Sequence, residues 1–215
     1  MTDRSAPDCS CLILCGGASR RMGQSKAGLQ LESKSLLEFT LQQLQQAGCS
    51  PLGVAANRRH PLPYLFNNKY NIKITFDNEL YSGPLAGLHS GLGYLKAWSE
   101  WAVVVPCDLP RLTVQALTSL IQCALEGPKP CPTVIRQGGR VNPLLGVLPT
   151  AWHHKAGHLL ESGLPRADGL IQGETLRYFD VPEEDWVWRD CDTPEEWQAL
   201  QSSNKLPGSQ GGKPV

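Results

Sequence analysis

Apolar and polar positions switch between two periods along this chain. The wholly apolar run "CLILC" (11–15) predicts a short buried strand. Further on, Leu37, Leu41 and Leu44 recur at helical spacing. Ser35 followed by Glu38 opens that helix as a capping box, and Gly48 closes it. "LGVAAN" (52–57) and "IKITFD" (72–77) predict a second and third strand. In "GPLAGLHSGLGYL", Pro84 suits a first helical turn and Leu85, Leu88, Leu92 and Leu95 share one side. "WAVVVPCD" (101–108) predicts a fourth strand, and Thr113 caps a helix bearing Val114, Leu117 and Ile121 that Gly127 ends.

Strands separated by helices in this order predict an α/β fold: a mostly parallel sheet with helices on both faces. The pattern changes after residue 130. "PTVIRQGGRVNPLLGVL" predicts two strands joined near Gly138–Gly139. A helix near 151–161, a strand near 175–181 and a last helix opened by Thr193 and Pro194 complete the body. We therefore expect a flexible N-terminus (1–10), a single domain (11–201) and a polar, glycine-rich disordered tail (202–215). There is no internal repeat.

Charge narrows the partners. Twenty basic and twenty acidic side chains cancel, which disfavours a long nucleic-acid or anionic-membrane surface. No apolar run approaches the ~20 residues of a membrane span, and "MTDRSAPDCS" lacks the apolar centre of a secretory signal. A cytoplasmic protein is expected. The eight cysteines form no C-x-x-C pair and several sit in apolar runs, so reduced, structural thiols are expected. His154 and His158 are spaced i, i+4, yet Lys155 stands where a zinc protease needs glutamate, so they read as surface or structural residues.

Chemistry concentrates where the predicted strands end. In an open α/β sheet, ligands bind beyond the carboxyl ends of the strands. The first strand runs into Cys15-Gly16-Gly17, the second into Asn57, the third into Asp77 and the fourth into Asp108. "ILCGGASRRMGQSKAGL" is neither a Walker A loop, which has Lys directly after its last glycine, nor a G-x-G-x-x-G dinucleotide loop. It still favours phosphate. Gly16 and Gly17 let backbone N–H groups approach an anion, while Arg20, Arg21 and Lys26 supply charge. Asp108 at the end of an apolar strand suits Mg²⁺, which takes one or two carboxylates plus substrate phosphates. Asp192, in "RDCDTPEEW", reads either as a second metal ligand or as a helix cap.

Together "LCGGASRRMGQSKAGL", "AAN", "D…YSGPLAGL" and "PCDLP" resemble the molybdenum cofactor guanylyltransferases (the MobA family) over residues 11 to about 200. The resemblance implies a Rossmann-like fold of the nucleotide-diphospho-sugar transferase type. It implies transfer of GMP from GTP to the terminal phosphate of molybdopterin, with Mg²⁺ assistance and release of pyrophosphate. Carried over by position, Leu14, Cys15, Gly16 and Gly17 would line GTP, and Lys26 would touch its triphosphate. Asn57 and Asp77 would meet the guanosine, Asp108 both Mg²⁺ and GTP, and Arg21 the phosphates. Molybdopterin-handling and molybdoenzyme-maturation proteins are the implied partners. Cys15 stands in place of the family's usual alanine, Ser25 in place of aspartate, and "DCDTPEE" has acids where many members carry asparagines. The sequence leaves two alternatives open: a nucleotidyltransferase that uses CTP or another NTP, on molybdopterin or on a sugar or alcohol phosphate, and a silent GTP-binding protein.

Overall fold

A computed structural model describes residues 9–15, 26–31, 33–57, 72–76, 81, 83–126, 129–163 and 166–202. In chain order its elements are β1 (Ser10–Leu14), a short antiparallel pair β2 (Gln30–Leu31) and β3 (Lys34–Ser35), α1 (Leu36–Gln46), β4 (Leu52–Ala56) and β5 (Ile72–Phe76). Next come α2 (Pro84–Leu95), β6 (Trp101–Pro106), α3 (Val114–Leu125), β7 (Thr133–Gln137) and β8 (Arg140–Pro149). The chain continues through α4 (His153–Glu161), the single turn α5 (Asp168–Ile171), β9 (Arg177–Val181) and α6 (Pro194–Ser202). Residues 203–215 of the expected tail and 1–8 of the expected flexible N-terminus lie outside the described residues, as does Gly127; Ser202 instead ends α6, and Cys9 and Ser10 are buried, with Ser10 opening β1.

Apart from the β2–β3 pair, the described strands form one seven-stranded sheet in the order β5-β4-β1-β6-β8-β7-β9. Pairing is parallel from β5 through β6, antiparallel on both sides of β8, and parallel again between β7 and β9. Every strand of this sheet but β8 therefore runs the same way. That matches the expected mostly parallel sheet, and the reversed strand is the second arm of the expected hairpin. Gly138 and Gly139 both take positive φ (54° and 81°) in its two-residue turn, a conformation glycine adopts without a Cβ penalty. Near the other end of the same pair, a Cβ on Gly146 would lie 2.1 Å from the Thr133 carbonyl oxygen, so only glycine fits there.

Alternation along β1 splits the core into two layers. Cys11 and Ile13 pack with the leucines of α1 and α3, whereas Leu12 and Leu14 pack with those of α2, α4 and α5. Each fully buried leucine contributes on the order of 1.5–3 kcal/mol. The expected caps are present: Ser35 and Glu38 exchange both capping-box bonds at α1, Pro84 occupies the first turn of α2, and Thr113 Oγ1 accepts from Ala116 N at α3. All eight cysteines are free. Among the described residues no helix is long and apolar enough to cross a membrane.

One boundary differs usefully from expectation. The fourth strand stops at Pro106, two residues early, because proline brings no N–H to the ladder. Cys107 and Asp108 thus occupy a turn beyond the sheet. Leu14 lies opposite Pro106 in register, and Cys107 N donates to Leu14 O at 3.2 Å. The turn carrying Asp108 is therefore stitched to the point where β1 enters its glycine loop.

Candidate active site

Lys26 opens the 3-10 turn Lys26–Gly28, and burial anchors the residues immediately after that turn. Leu29 and Leu31 sink into a small third core with Leu36, Cys191, Trp197 and Leu200. This core joins the stretch after the glycine loop to the segment before α6. Cys191 is its hinge: the side chain is buried there, and its backbone N–H donates to the Asp108 carbonyl at 3.0 Å. In an extended stretch, alternate residues point to opposite sides. With Cys191 turned inward, Asp190 and Asp192 both come to Asp108.

The result is a compact knot of charge. Lys26 Nζ donates to Asp108 Oδ2 at 2.7 Å and also to Asp192 Oδ1. One carboxylate oxygen from each of Asp108, Asp190 and Asp192 lies within 4.8 Å of the others. Burial alone would depress the Lys26 pKa, but its bonds to Asp108 and Asp192 overcome that and hold it well above the ordinary lysine value. Asp190 is pushed up, first by desolvation and then by Asp192 and Asp108. Three acids are thus crowded around one ammonium, an arrangement still rich in negative charge.

That surplus fits a hard divalent cation. Among the described residues Asp108 Oδ1 is buried and has no hydrogen-bond partner, and an orphaned buried carboxylate oxygen is costly unless something binds it. An all-oxygen donor set suits Mg²⁺. Asp108, Asp190 and Asp192 are the residues that would hold it.

Of the other expected site residues, Leu14, Cys15 and Asn57 sit at the same carboxyl edge, at or just beyond the ends of β1 and β4. Cys15 N donates to Ala55 O at 2.8 Å. The Cys15 thiol is held well above its ordinary pKa, first by its hydrogen bond with Cys107 and then by burial, so it is a packing group rather than a nucleophile. Gly16, Gly17, Arg21 and Asp77 lie outside the described residues.

Reading Asp192 as the cap of the last helix needs correction. Thr193 Oγ1 accepts from Glu196 N at 3.2 Å, and the Glu196 carboxylate accepts from the backbone of Asp192 and Thr193. Thr193 and Glu196 form the capping box, which leaves the Asp192 carboxylate for Lys26. The sequence alone assigns Asp190 no role; the D-x-D spacing around a buriable cysteine is the signal that could have found it.

Beside Asp108 opens a cleft of about 400 Å³, walled by the β7–β8 hairpin and the loop between β9 and α6. Arg140, Asn142, Trp188, Arg189 and Asp190 line it. Because β8 is reversed, its first residues lie at the rim where its neighbours end. Nothing in the residue pattern marks Arg140 or Arg189 as site residues.

Comparison with known proteins bears on the family and the fold. The MobA-like NTP transferase domain matches residues 11–174. A molybdenum cofactor guanylyltransferase of Pseudomonas paraeruginosa is 34% identical over 164 residues, which is 76% of this chain and 79% of the relative. A probable molybdenum cofactor guanylyltransferase of Synechococcus elongatus is 30% identical over 197 residues, 89% of this chain and 97% of the relative. In three dimensions, molybdopterin-guanine dinucleotide biosynthesis protein A from Archaeoglobus fulgidus superposes with a TM-score of 0.70 at 18% identity. That match covers 90% of this chain and 97% of the other and bears on the fold.

Proposed function

This chain belongs to the MobA-like NTP transferase family, and from that premise we propose that it transfers GMP from GTP to the terminal phosphate of molybdopterin, releasing pyrophosphate. The observation that carries the reading is the meeting of Lys26 with Asp108 and Asp192 at the carboxyl edge of the sheet. A binding module needs only the loop. A cation-ready acid cluster in addition to it is the equipment of phosphoryl chemistry.

In this reaction a phosphate oxygen of molybdopterin attacks the α-phosphorus of GTP, in line with departing pyrophosphate. A new P–O bond forms to the acceptor and the bond to the β-phosphate oxygen breaks. The acceptor phosphate is already anionic near neutral pH, so no strong general base is required. Mg²⁺ on Asp108, Asp190 and Asp192 would supply charge neutralisation and a template for the triphosphate. Lys26 is held by these acids where it meets the triphosphate and offsets charge growing on the leaving group; Arg21 shares this role. Asn57 and Asp77 contact the guanosine. The backbone of Leu14, Cys15, Gly16 and Gly17 cradles the nucleotide. The acceptor comes from the other side, through the cleft beside Asp108.

The test is pyrophosphate release with GTP, Mg²⁺ and molybdopterin together and with each omitted in turn, and with CTP and ATP in place of GTP. Release that requires all three and prefers GTP is expected. Release without molybdopterin, or faster with CTP, would sink the proposal, and GTP binding with no release would leave a silent binding protein.

A further inference from the structure

The loop between β9 and α6 is held far more tightly than a connector needs. The Gln137 side-chain amide donates to the carbonyls of Pro182 and Glu183 at 3.3 Å each and of Asp185 at 2.6 Å. Asp185 Oδ1 accepts from Val187 N at 2.8 Å, and Trp188 is buried edge-on against Phe179. Within this pinned frame Trp186 remains 52% exposed. Its ring carries two guanidinium contacts: Arg189 Cζ at 4.3 Å and Arg111 Cζ at 5.4 Å. Arg111 follows Asp108 by three positions and Arg189 directly precedes Asp190, so the indole links the two loops that deliver the acid cluster.

We propose that Arg189, its plane fixed by Trp186, grips the phosphate of the acceptor, and that Trp186 is the positioning residue for it. The assignment rests on the guanylyl-transfer reading above. The acceptor presents a phosphate monoester, a dianion, to a rim dominated by carboxylates. Lys26 is engaged with Asp108 and Asp192, which leaves Arg140 and Arg189 as the cations lining the cleft among the described residues. Arg189 Nη2 donates to Glu183 O at 3.0 Å. A guanidinium has five N–H donors in a fixed plane, enough to keep that anchor and still hold two phosphate oxygens. Stacking on an indole sets that plane at little entropic cost. Lysine, a point charge with no flat face, would do neither.

Steady-state kinetics on the full chain tests this, with GTP and molybdopterin varied separately. Arg189→Ala is expected to raise the KM for molybdopterin about 10-fold or more, the scale of one lost charge-assisted contact. Trp186→Ala should raise it about 2- to 5-fold, the scale of one exposed cation–π contact. Neither should move the KM for GTP. Trp186→Phe should restore the acceptor KM, Arg189→Lys should not, and the double alanine variant should match Arg189→Ala because Trp186 acts through Arg189. Trp98→Ala, an exposed indole just ahead of β6 and so at the opposite end of that strand from Asp108, is the control and should change nothing. If the two alanine effects multiply, or the GTP and acceptor constants rise together, the indole is only a loop staple and the proposal fails. Wild-type turnover with an unmoved acceptor KM in Arg189→Ala overturns this assignment alone. Wild-type protein that makes no product overturns guanylyl transfer and the assignment with it.

Discussion

Lys26 Nζ and Asp108 Oδ2 stand 2.7 Å apart although 82 positions separate them in the chain. The ion pair joins two separate stretches of chain: the 3-10 turn that Lys26 opens and the turn beyond β6 that carries Asp108. With Asp190 and Asp192 at the same point, the pair is the centre of the candidate site and no exposed surface salt bridge, which is typically worth only ~0–1 kcal/mol.

Asp108→Asn should therefore cut guanylyl transfer by at least ~100-fold, the scale of removing one preorganised electrostatic group, while the melting temperature stays within a few degrees. The substitution keeps the shape and relieves repulsion among three acids. Pyrophosphate release and a thermal melt on the same preparation check both halves. A variant that melts normally and turns over normally would remove Asp108 from the chemistry.

Asp192 and Thr193 are neighbours with separate jobs, and a crossed pair of variants exposes it. Asp192→Asn should raise the Mg²⁺ concentration needed for half-maximal rate with little change in stability. Thr193→Ala should cost about 1 kcal/mol of stability through the lost cap and leave the Mg²⁺ dependence alone. Metal titrations paired with denaturant unfolding read this directly, and the opposite pattern would return the cap to Asp192.

Gly146 is fixed by backbone crowding rather than by any role in the site. With a Cβ 2.1 Å from Thr133 O and 2.9 Å from Val134 Cα, Gly146→Ala has no flexible neighbour to displace. It should cost at least ~2 kcal/mol, within the range for overpacking, or roughly 4–8 °C in melting temperature. Calorimetry at neutral pH is the check; an unshifted melt would show that the two strands part freely there.

Acid should weaken the fold through His153. Burial lowers its pKa below the ordinary 6.5, helped by His154, Lys96 and His89 and opposed by the Thr150 carbonyl. Its Nδ1 lies 3.2 Å from Thr150 O and its Nε2 lies 3.0 Å from Lys96 Nζ. Together these fit a neutral ring that donates from Nδ1 and accepts at Nε2. The unfolded chain binds this proton more readily than the folded one, so stability is full above 6.5 and falls as pH drops from there through the depressed folded value. Denaturant unfolding between pH 7.5 and 5 should show that slope in the wild type and a shallower one in His153→Gln.

Much of this is legible in the residues, for reasons that differ from place to place. The caps of α1 and α3 depend on contacts three residues apart, which a sequence states outright. Strand ends point to the correct rim because every parallel strand delivers its carboxyl end to the same side, so the residue pattern alone reaches Lys26 and Asp108. It does not reach Asp190. The place of that residue depends on a backbone bond from Cys191 to Asp108 across a long stretch of chain, and no local pattern encodes it. The role of Asp192 is ambiguous in the sequence because Asp and Thr are both good caps; Glu196 settles the matter by bonding the backbone of both while Thr193 does the capping. Arg140 and Arg189 reach the cleft through sheet order, with β8 inserted between β6 and β7. Hydrophobic periodicity carries no information on that.

The reversal of β8 has a consequence for how such an enzyme diversifies. The four strands from β5 to β6 supply one half of the rim with their ends, whereas the hairpin supplies the facing half with the beginning of a strand and a two-glycine turn. Residues can be exchanged or inserted around that turn without disturbing the parallel ladder on the far side of β6. On the proposed guanylyl transfer, donor and recipient fall to parts of the sheet free to drift independently, and a lineage can acquire a new recipient while its nucleotide chemistry stands still.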